Sequence, residues 1–286
     1  MKYLKFKKED LIKSPLNYTG GKFKLLPQIL PLFPDKINKF IDLFCGGCNV
    51  GINSNAGEVH CNDNMKQLID LYTEWQKHDI DYILEYINGK INEFQLSKTN
   101  KDGYLKFREY YNKYRNSLDL YILISHSFNN QIRFNKKGEF NLPFGDRFFS
   151  ESLKNNLIDF FKVIKNIKFT NNSFEYLNIK ILTHNDLVYL DPPYLITCAS
   201  YNEIGGWNET HEIRLLKFLD DLNDQNVKFA LSNVLESKGK SNDILKNWSK
   251  KYNVNYLQSN YDNCSYYKNE RKENKNSTVE VLITNY

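Results

Sequence analysis

The chain has 286 residues, 41% apolar and 26% charged, which allows about two domains or one large domain with an insertion and excludes a disordered tail, a collagen-like repeat and a low-complexity fibre. Five cysteines (Cys45, Cys48, Cys61, Cys198, Cys264) are odd in number, too sparse for a disulfide framework and not paired with histidines at zinc spacing. No apolar run reaches the roughly 18 residues of a membrane span, so a soluble, cytoplasmic, metal-free protein is expected. The net charge of +5 is local: Lys98 to Arg147 holds ten basic and five acidic residues, and the rest of the chain carries 29 of each sign. Tyr104, Phe107, Tyr110, Tyr111, Tyr114, Phe128 and Phe134 share that stretch, a mixture suited to phosphate pairing with base stacking, or to a solvated helix face over core aromatics.

In chain order, a turn-rich stretch from Ser14 to Lys22 leads into Leu25, Leu26, Ile29 and Leu30 at helical spacing. Phe40 to Phe44 reads as a short strand running into Cys45-Gly46-Gly47-Cys48. A second strand, Glu58 to Asn62, ends at Asp63 before a helix through Met65, Leu68, Ile69 and Leu71. From about Tyr72 to Lys154 the pattern predicts charged helical segments (Tyr82 to Phe94, Tyr104 to Tyr114, Leu118 to Phe128) and a polar, basic loop from Asn129 to Arg147. Strands return at Ile167 to Thr170, Leu187 to Leu190 and Val227 to Asn233, with a helix through Ile213, Leu215, Leu216, Phe218 and Leu219. Thr278 to Ile283 reads as a last strand in a hairpin around a mobile loop, the polar segment Asp262 to Ser277. The alternation predicts an α/β fold with a mainly parallel sheet and a helical insert: 1–71 and 155–286 form one domain and 72–154 the other.

Two features carry chemistry. A strand that delivers its carboxyl end into Gly46-Gly47 opens a crevice for close approach of a ligand, and Asp63 at the end of the next strand is placed to accept ribose hydroxyls. A purely structural turn has the same residues, and Cys45 and Cys48 also have the C-x-x-C spacing of a redox pair. Asp191-Pro192-Pro193-Tyr194 is sharper. It follows Leu187 to Leu190, so the acid sits at a strand's carboxyl end; the two prolines lack N–H groups and stiffen the turn; and an aromatic follows. An acid, free carbonyls and a ring suit a planar amine such as the exocyclic amine of adenine flipped from a helix; the plainer alternative is a strand-ending turn with a packing tyrosine.

With Asn17 to Lys22 (NYTGGK), Phe40 to Gly47 (FIDLFCGG), Asn62 to Asn64 (NDN) and Asp191 to Tyr194 (DPPY) in that order, the chain resembles the Dam-type, D12 class, alpha-group DNA adenine-N6 methyltransferases. The likeness extends to Phe128–Asn135, Gly138–Gly145 and Ile283–Tyr286. It implies a Rossmann-like sheet that binds S-adenosylmethionine and an inserted, mainly helical target-recognition domain. By position, Tyr18, Lys22, Asp42, Phe44 and Gly46 would hold the cofactor, Asp63 its ribose and Ser173 its adenine. Asp191 and the Pro192 carbonyl would accept from adenine N6 in a turn stiffened by Pro193, and Tyr194 would stack on the flipped ring. Arg133 would read a guanine edge, Phe128 would wedge into the stack, and Asn129, Asn130, Asn135 and Arg147 would lie near backbone or bases. The implied reaction is methylation of adenine in double-stranded DNA, at GATC or a related short site, by a monomer that shares its role with a cognate restriction endonuclease.

Three departures from the family pattern stand out: Cys48 occupies the place of a further glycine in the cofactor turn, Asp146 separates Gly145 from Arg147, and Asn172-Ser173 replaces an acid near the cofactor adenine. The alternatives are an enzyme of the same fold acting on RNA or a protein amide, a DNA-binding relative that has lost activity, and a C-x-x-C redox protein.

Overall fold

Short apolar runs that end at polar or glycine-rich turns become the central strands. In the computed structural model, which describes residues 8–197, 206–258 and 278–286, β1 (Ile37–Asp42), β2 (Ala56–Asn62), β3 (Ile167–Thr170), β4 (Leu187–Leu190) and β5 (Lys228–Ser237) pair in parallel in the order β3-β2-β1-β4-β5. The two-residue β6 (Lys240–Ser241) pairs with the end of β5. Beyond β5, β8 (Thr278–Thr284) runs antiparallel between β5 and β7 (Asn253–Leu257). Leu187 to Leu190 is at most 1% exposed, as expected of a central parallel strand covered on both faces.

Successive residues of a strand point to opposite faces, and the two faces have different covers. Ile41, Val188, Phe229, Leu231 and Ile283 pack under α7 (Glu209–Asp224) and α8 (Asp243–Ser249). Phe40, Leu187, Tyr189, Ala230 and Leu282 pack under the N-terminal segment with its short α1 (Leu26–Ile29). Each fully buried large apolar side chain contributes about 1.5–3 kcal/mol, so both covers are held mainly by burial.

Between β2 and β3 lie α2 (Lys66–Gln76), α3 (Ile80–Glu93), α4 (Lys101–Tyr114), α5 (Ser117–His126) and α6 (Glu151–Ile164). They share one core with the glycine turn: Cys45, Cys48, Ile52 and Cys61 join Tyr72, Trp75, Tyr121, Phe160 and Ile164. The sequence boundaries 71/72 and 154/155 fall inside α2 and α6. One correction concerns α5, grouped by sequence with the charged helices. Residues 118–126 are all buried, because Leu118, Leu120, Tyr121, Ile122, Leu123 and Ile124 are apolar around the whole circumference, and α5 is the hub of the insert. It also ends at His126, with a separate 3-10 turn over Phe128–Asn130.

Other differences are local. β1 begins and ends earlier than Phe40 to Phe44, β5 continues to Ser237, and α6, α8 and β7 were not anticipated. The missed helices α6 and α8 carry legible N-caps: Ser150 accepts from the Leu153 N–H at 3.3 Å, and Asn242 from the Leu245 N–H at 3.0 Å. Such caps contribute about 1 kcal/mol each. The expected last strand is β8, which runs antiparallel to both β5 and the unanticipated β7, whereas the loop Asp262 to Ser277, Cys198 and Cys264 lie outside the described residues.

Candidate active site

The chain runs from β1 to β2 on one side and returns to β4 on the other, so the carboxyl ends of β1 and β4 flank the switch point of the sheet, where open α/β sheets place ligands. A cleft there is lined by Tyr18 to Lys22, Asp42, Phe44 to Gly47, Asn49, Val50, Tyr189 and Asp191. The glycines are required by a neighbour. A Cβ on Gly46, whose φ is +44°, would stand 2.8 Å from the Tyr18 ring, and one on Gly47 would stand 3.0 Å from the Tyr18 Cβ. Tyr18 thus rests directly on the turn.

Asp42, at the end of β1, accepts from the Gly51 N–H through Oδ2 at 3.1 Å. Its Oδ1 is buried with no hydrogen-bond partner among the described residues, and burial first, then the nearby Cys48 and Asp191, push its carboxyl well above the usual range. A buried polar atom without a partner is costly, and this one belongs to a residue that lines the cleft, where it is free to accept from a donor. Asp63 lies across the turn. Its Oδ2 accepts from Gly46 N–H and its Oδ1 from Met65 N–H, both at 2.9 Å, which ties the end of β2 to the glycine turn. Burial raises this carboxyl and those backbone bonds lower it. An orphaned acceptor, a second acid and a glycine cradle fit the methionine and ribose parts of S-adenosylmethionine. Ser173 follows β3 at the same end of the sheet, 3.5 Å from Glu175 through its hydroxyl.

Asp191 immediately follows β4 and is already engaged. Lys22 Nζ lies 2.7 Å from its Oδ2, the Tyr194 hydroxyl donates to its Oδ1 at 2.8 Å, and Lys22 also donates to Gly20 O at 2.7 Å. The same ammonium stands 5.0 Å from the centre of the Tyr194 ring and 3.8 Å from Glu280 Oε1. Lys22 is 4% exposed, so its charge depends on these partners. Pro192 is buried and Pro193 half-buried beside them. The structure therefore brings Tyr18, Lys22, Asp42, Phe44, Gly46, Asp63 and the four residues Asp191 to Tyr194 to one end of the sheet.

The DNA candidates lie in the insert, between Phe128 and Arg147. Phe128 is 52% exposed; Asn129 and Asn130 take left-handed φ values of 56° and 53°; and Asn17 Nδ2 donates to Asn129 O at 2.8 Å, linking the loop to the N-terminal motif. Arg133 is occupied, donating from Nε to Asn141 Oδ1 at 2.8 Å and from Nη2 to Asn141 O at 3.0 Å. Asn135 bonds Glu139, and Arg147 is exposed. Tyr104, Phe107 and Tyr111 are at most 2% exposed: the plain core reading of these aromatics holds, because they are the apolar face of α4.

Sequence reading missed three contributors. Asn62 stitches three strand ends together, donating to Leu43 O and Asn172 O and accepting from Thr170 and the Asn172 N–H. Trp207, at 6.0 Å from the Phe44 ring, donates to buried Glu212 at 2.7 Å. Glu280 comes from β8, far along the chain. Only Asn62 had a local signal, its place beside Asp63. The redox spacing acquires a different meaning: Cys48 Sγ is 3.2 Å from Cys61 Sγ, all three thiols are buried, and burial pushes those of Cys45 and Cys61 up. Cys48 takes φ +62°, the left-handed conformation that explains a glycine at this place in the family pattern. Among the described residues no His, Cys, Asp and Glu group is arranged to hold a metal, and no helix is long and apolar enough to cross a membrane.

Comparison with known proteins agrees with this geometry. The chain is 48% identical over 290 residues to the type II methyltransferase M.FokI of Planomicrobium okeanokoites, covering 99% of this chain and 44% of that protein. It is 49% identical to the modification methylase StsI of Streptococcus sanguinis, covering 96% of this chain and 43% of that protein. The DNA adenine methylase of Escherichia coli K12 is 26% identical over 76% of this chain and 79% of its own. The chain thus spans less than half the length of the first two relatives. The family described as D12 class N6 adenine-specific DNA methyltransferase matches residues 18–277, nearly the whole length from the Tyr18 motif through Asp191-Pro-Pro-Tyr, and the chain belongs to that family.

Proposed function

We propose that this chain transfers the sulfonium methyl group of S-adenosylmethionine to N6 of an adenine in a short site of double-stranded DNA, GATC or related, after the base is flipped from the helix. The observation that carries the reading is the Lys22–Asp191–Tyr194 constellation beside a cleft with an orphaned Asp42 oxygen. S-adenosylmethionine supplies an electrophilic methyl when bound. Asp42 Oδ1 is suited to take a cationic donor, Asp63 a hydroxyl pair, and Ser173 and Phe44 to border the purine. Asp191 and the Pro192 carbonyl, which has no proline N–H beside it to satisfy it, are suited to accept from an exocyclic amine. As N6 attacks it becomes positive, and a fixed carboxylate and carbonyl stabilise that charge, with positioning supplying much of the remaining barrier reduction. Tyr194 must leave Asp191 to stack on the flipped ring.

Residues 72–154 act in this reading as the target-recognition domain, and 1–71 with 155–286 as the catalytic domain. Phe128 is placed to wedge into the stack; Asn129, Asn130, Asn135 and Arg147 line the same loop; and Arg133 reads guanine by exchanging its Asn141 bonds. The protein works as a monomer that protects DNA from a cognate endonuclease, a role supported by the modification-methylase names of its relatives. The test uses labelled S-adenosylmethionine and unmethylated plasmid, wild type against Asp191→Ala, with methylated positions mapped by sequencing. Label in N6-methyladenine at one short motif, lost in the variant, is expected. Label in RNA or protein instead, or cofactor binding without any transfer, would overturn the reading.

A further inference from the structure

The catalytic acid has a competitor for its function, namely its own lysine. Asp191 cannot offer both oxygens to an incoming amine while Lys22 holds Oδ2 at 2.7 Å and the Tyr194 hydroxyl holds Oδ1 at 2.8 Å. Lys22 cannot simply let go either. Its side chain is 4% exposed, and an ammonium removed from water and left without a counter-ion is severely destabilised. A second carboxylate stands ready: Glu280 Oε1 is 3.8 Å from Lys22 Nζ, on the opposite side of the switch point from β1, and its side chain is 13% exposed. Glu280 sits on antiparallel β8, opposite Val234 of β5 and Leu257 of β7, so the ladder on both flanks fixes its position. Burial raises the Glu280 carboxyl and Lys22 lowers it, which couples the two further.

We propose that Glu280 is a positioning residue for methyl transfer: it takes over the Lys22 ammonium when the target adenine claims Asp191, so that the catalytic carboxylate is released without leaving a buried charge unpaired. The inference rests on the adenine methyltransferase reading. It differs from a structural role for Glu280 because it assigns the benefit to the state with substrate bound. Two carboxylates around one ammonium are a surplus in the free chain, and the surplus disappears when one of them turns to N6. Lys22 needs to move only about an ångström, toward Glu280, to shorten that pair to a direct salt bridge.

The experiment compares wild type, Glu280→Gln and Glu280→Asp in single-site DNA methylation at saturating cofactor and DNA, with the S-adenosylmethionine dissociation constant measured separately by calorimetry. Glu280→Gln is expected to lower kcat by about tenfold or more while changing the cofactor dissociation constant less than about threefold. Glu280→Asp, which keeps the charge and shortens the reach, is expected to fall between the two. A Glu280→Gln kcat within twofold of wild type overturns the inference, as does a loss of cofactor affinity as large as the loss of kcat. Should Glu280→Gln not fold, Glu280→Asp decides: reduced kcat with unchanged cofactor affinity supports the relay, and unchanged kcat overturns it. Wild type that binds cofactor but methylates no DNA would instead sink the methyltransferase reading and this inference together, an outcome distinct from active wild type with equally active Glu280→Gln.

Discussion

The cleft at the strand ends and the loop of residues 127–147 are built on opposite plans. In the cleft, each acid is held by a strand whose position is fixed by its neighbours: Asp42 ends β1, Asp63 follows β2, Asp191 follows β4, and Glu280 lies within β8. Asp42 and Asp63 are buried, Asp191 and Glu280 half-buried; backbone N–H groups of Gly51 and Gly46 hold the first two, and the Lys22 ammonium and the Tyr194 hydroxyl hold Asp191. Residues 127–147 have only two isolated β-bridges, Ser127 with Phe144 and Phe134 with Phe140. The loop hangs from α4 by side chains: Tyr104 and Arg108 donate to Leu142 O, and Asn112 bonds both the N–H and the C=O of Phe140. Gly145 closes it, since a Cβ there would stand 2.5 Å from Ser127 O. In the proposed function, chemistry falls to the rigid sheet and sequence reading to a surface whose contacts can be exchanged, the Arg133–Asn141 pair among them.

This contrast can be broken by substitution. The largest effect is expected at Asp191→Ala, about 10³-fold in methylation with cofactor affinity changed far less, measured by turnover and calorimetry; an equal loss in both would place Asp191 in binding and not in transfer. Next, Asp42→Asn should weaken S-adenosylmethionine binding about tenfold or more, because an acceptor that can ionise against a cationic donor is lost, while stabilising the free protein by about 1–2 kcal/mol. The sign with pH follows from the raised carboxyl. Folded wild type keeps the Asp42 proton where the unfolded chain has lost it, so its stability falls as pH rises above about 4, and the advantage of the Asn variant should grow over that range in denaturant titrations. An advantage that shrinks with rising pH would remove the orphaned oxygen from the account.

Arg133→Ala should cost about 1–3 kcal/mol of discrimination at one base pair and leave the rate on a permissive site much less affected, as seen in competition between single-base variants of the DNA site. A uniform loss across all sites would make Arg133 a phosphate contact. The smallest effect is expected at Cys48→Gly, where relief of the left-handed backbone, roughly 1 kcal/mol, offsets the lost packing of a fully buried sulfur; the midpoint of thermal unfolding should move by only a few degrees.

Much of the cleft is legible in the chain because its residues lie at boundaries between patterns. Asp63 and Asp191 each follow a strand pattern, and Gly46-Gly47 and Pro192-Pro193 punctuate the turns, so period and punctuation locate them together; Asp42 lies within the run Phe40 to Phe44 and is singled out only by the family resemblance. Glu280 is in the middle of an alternating strand and looks like any outward-facing acid. Its nearness to Lys22 depends on β8 entering the sheet beside β5, a pairing between residues more than 40 apart in sequence for which no local signal exists. The aromatic, basic stretch was ambiguous for a related reason: composition cannot separate Tyr104, Phe107 and Tyr111, which face the core, from Phe128, which faces solvent.

The sequence by itself determined the alternation of strands and helices, the turn chemistry and the place of Asp191-Pro192-Pro193-Tyr194 after a strand, because these depend on neighbours within a few residues. Only the tertiary structure decided that Tyr18 rests on Gly46, that Cys61 joins Cys45 and Cys48 in one thiol cluster, that α5 is the buried hub of the insert, and that Lys22 lies between two carboxylates. Those are contacts between distant segments, set by which faces of the sheet and helices must be buried against each other, and free energy of burial acts on the whole chain at once.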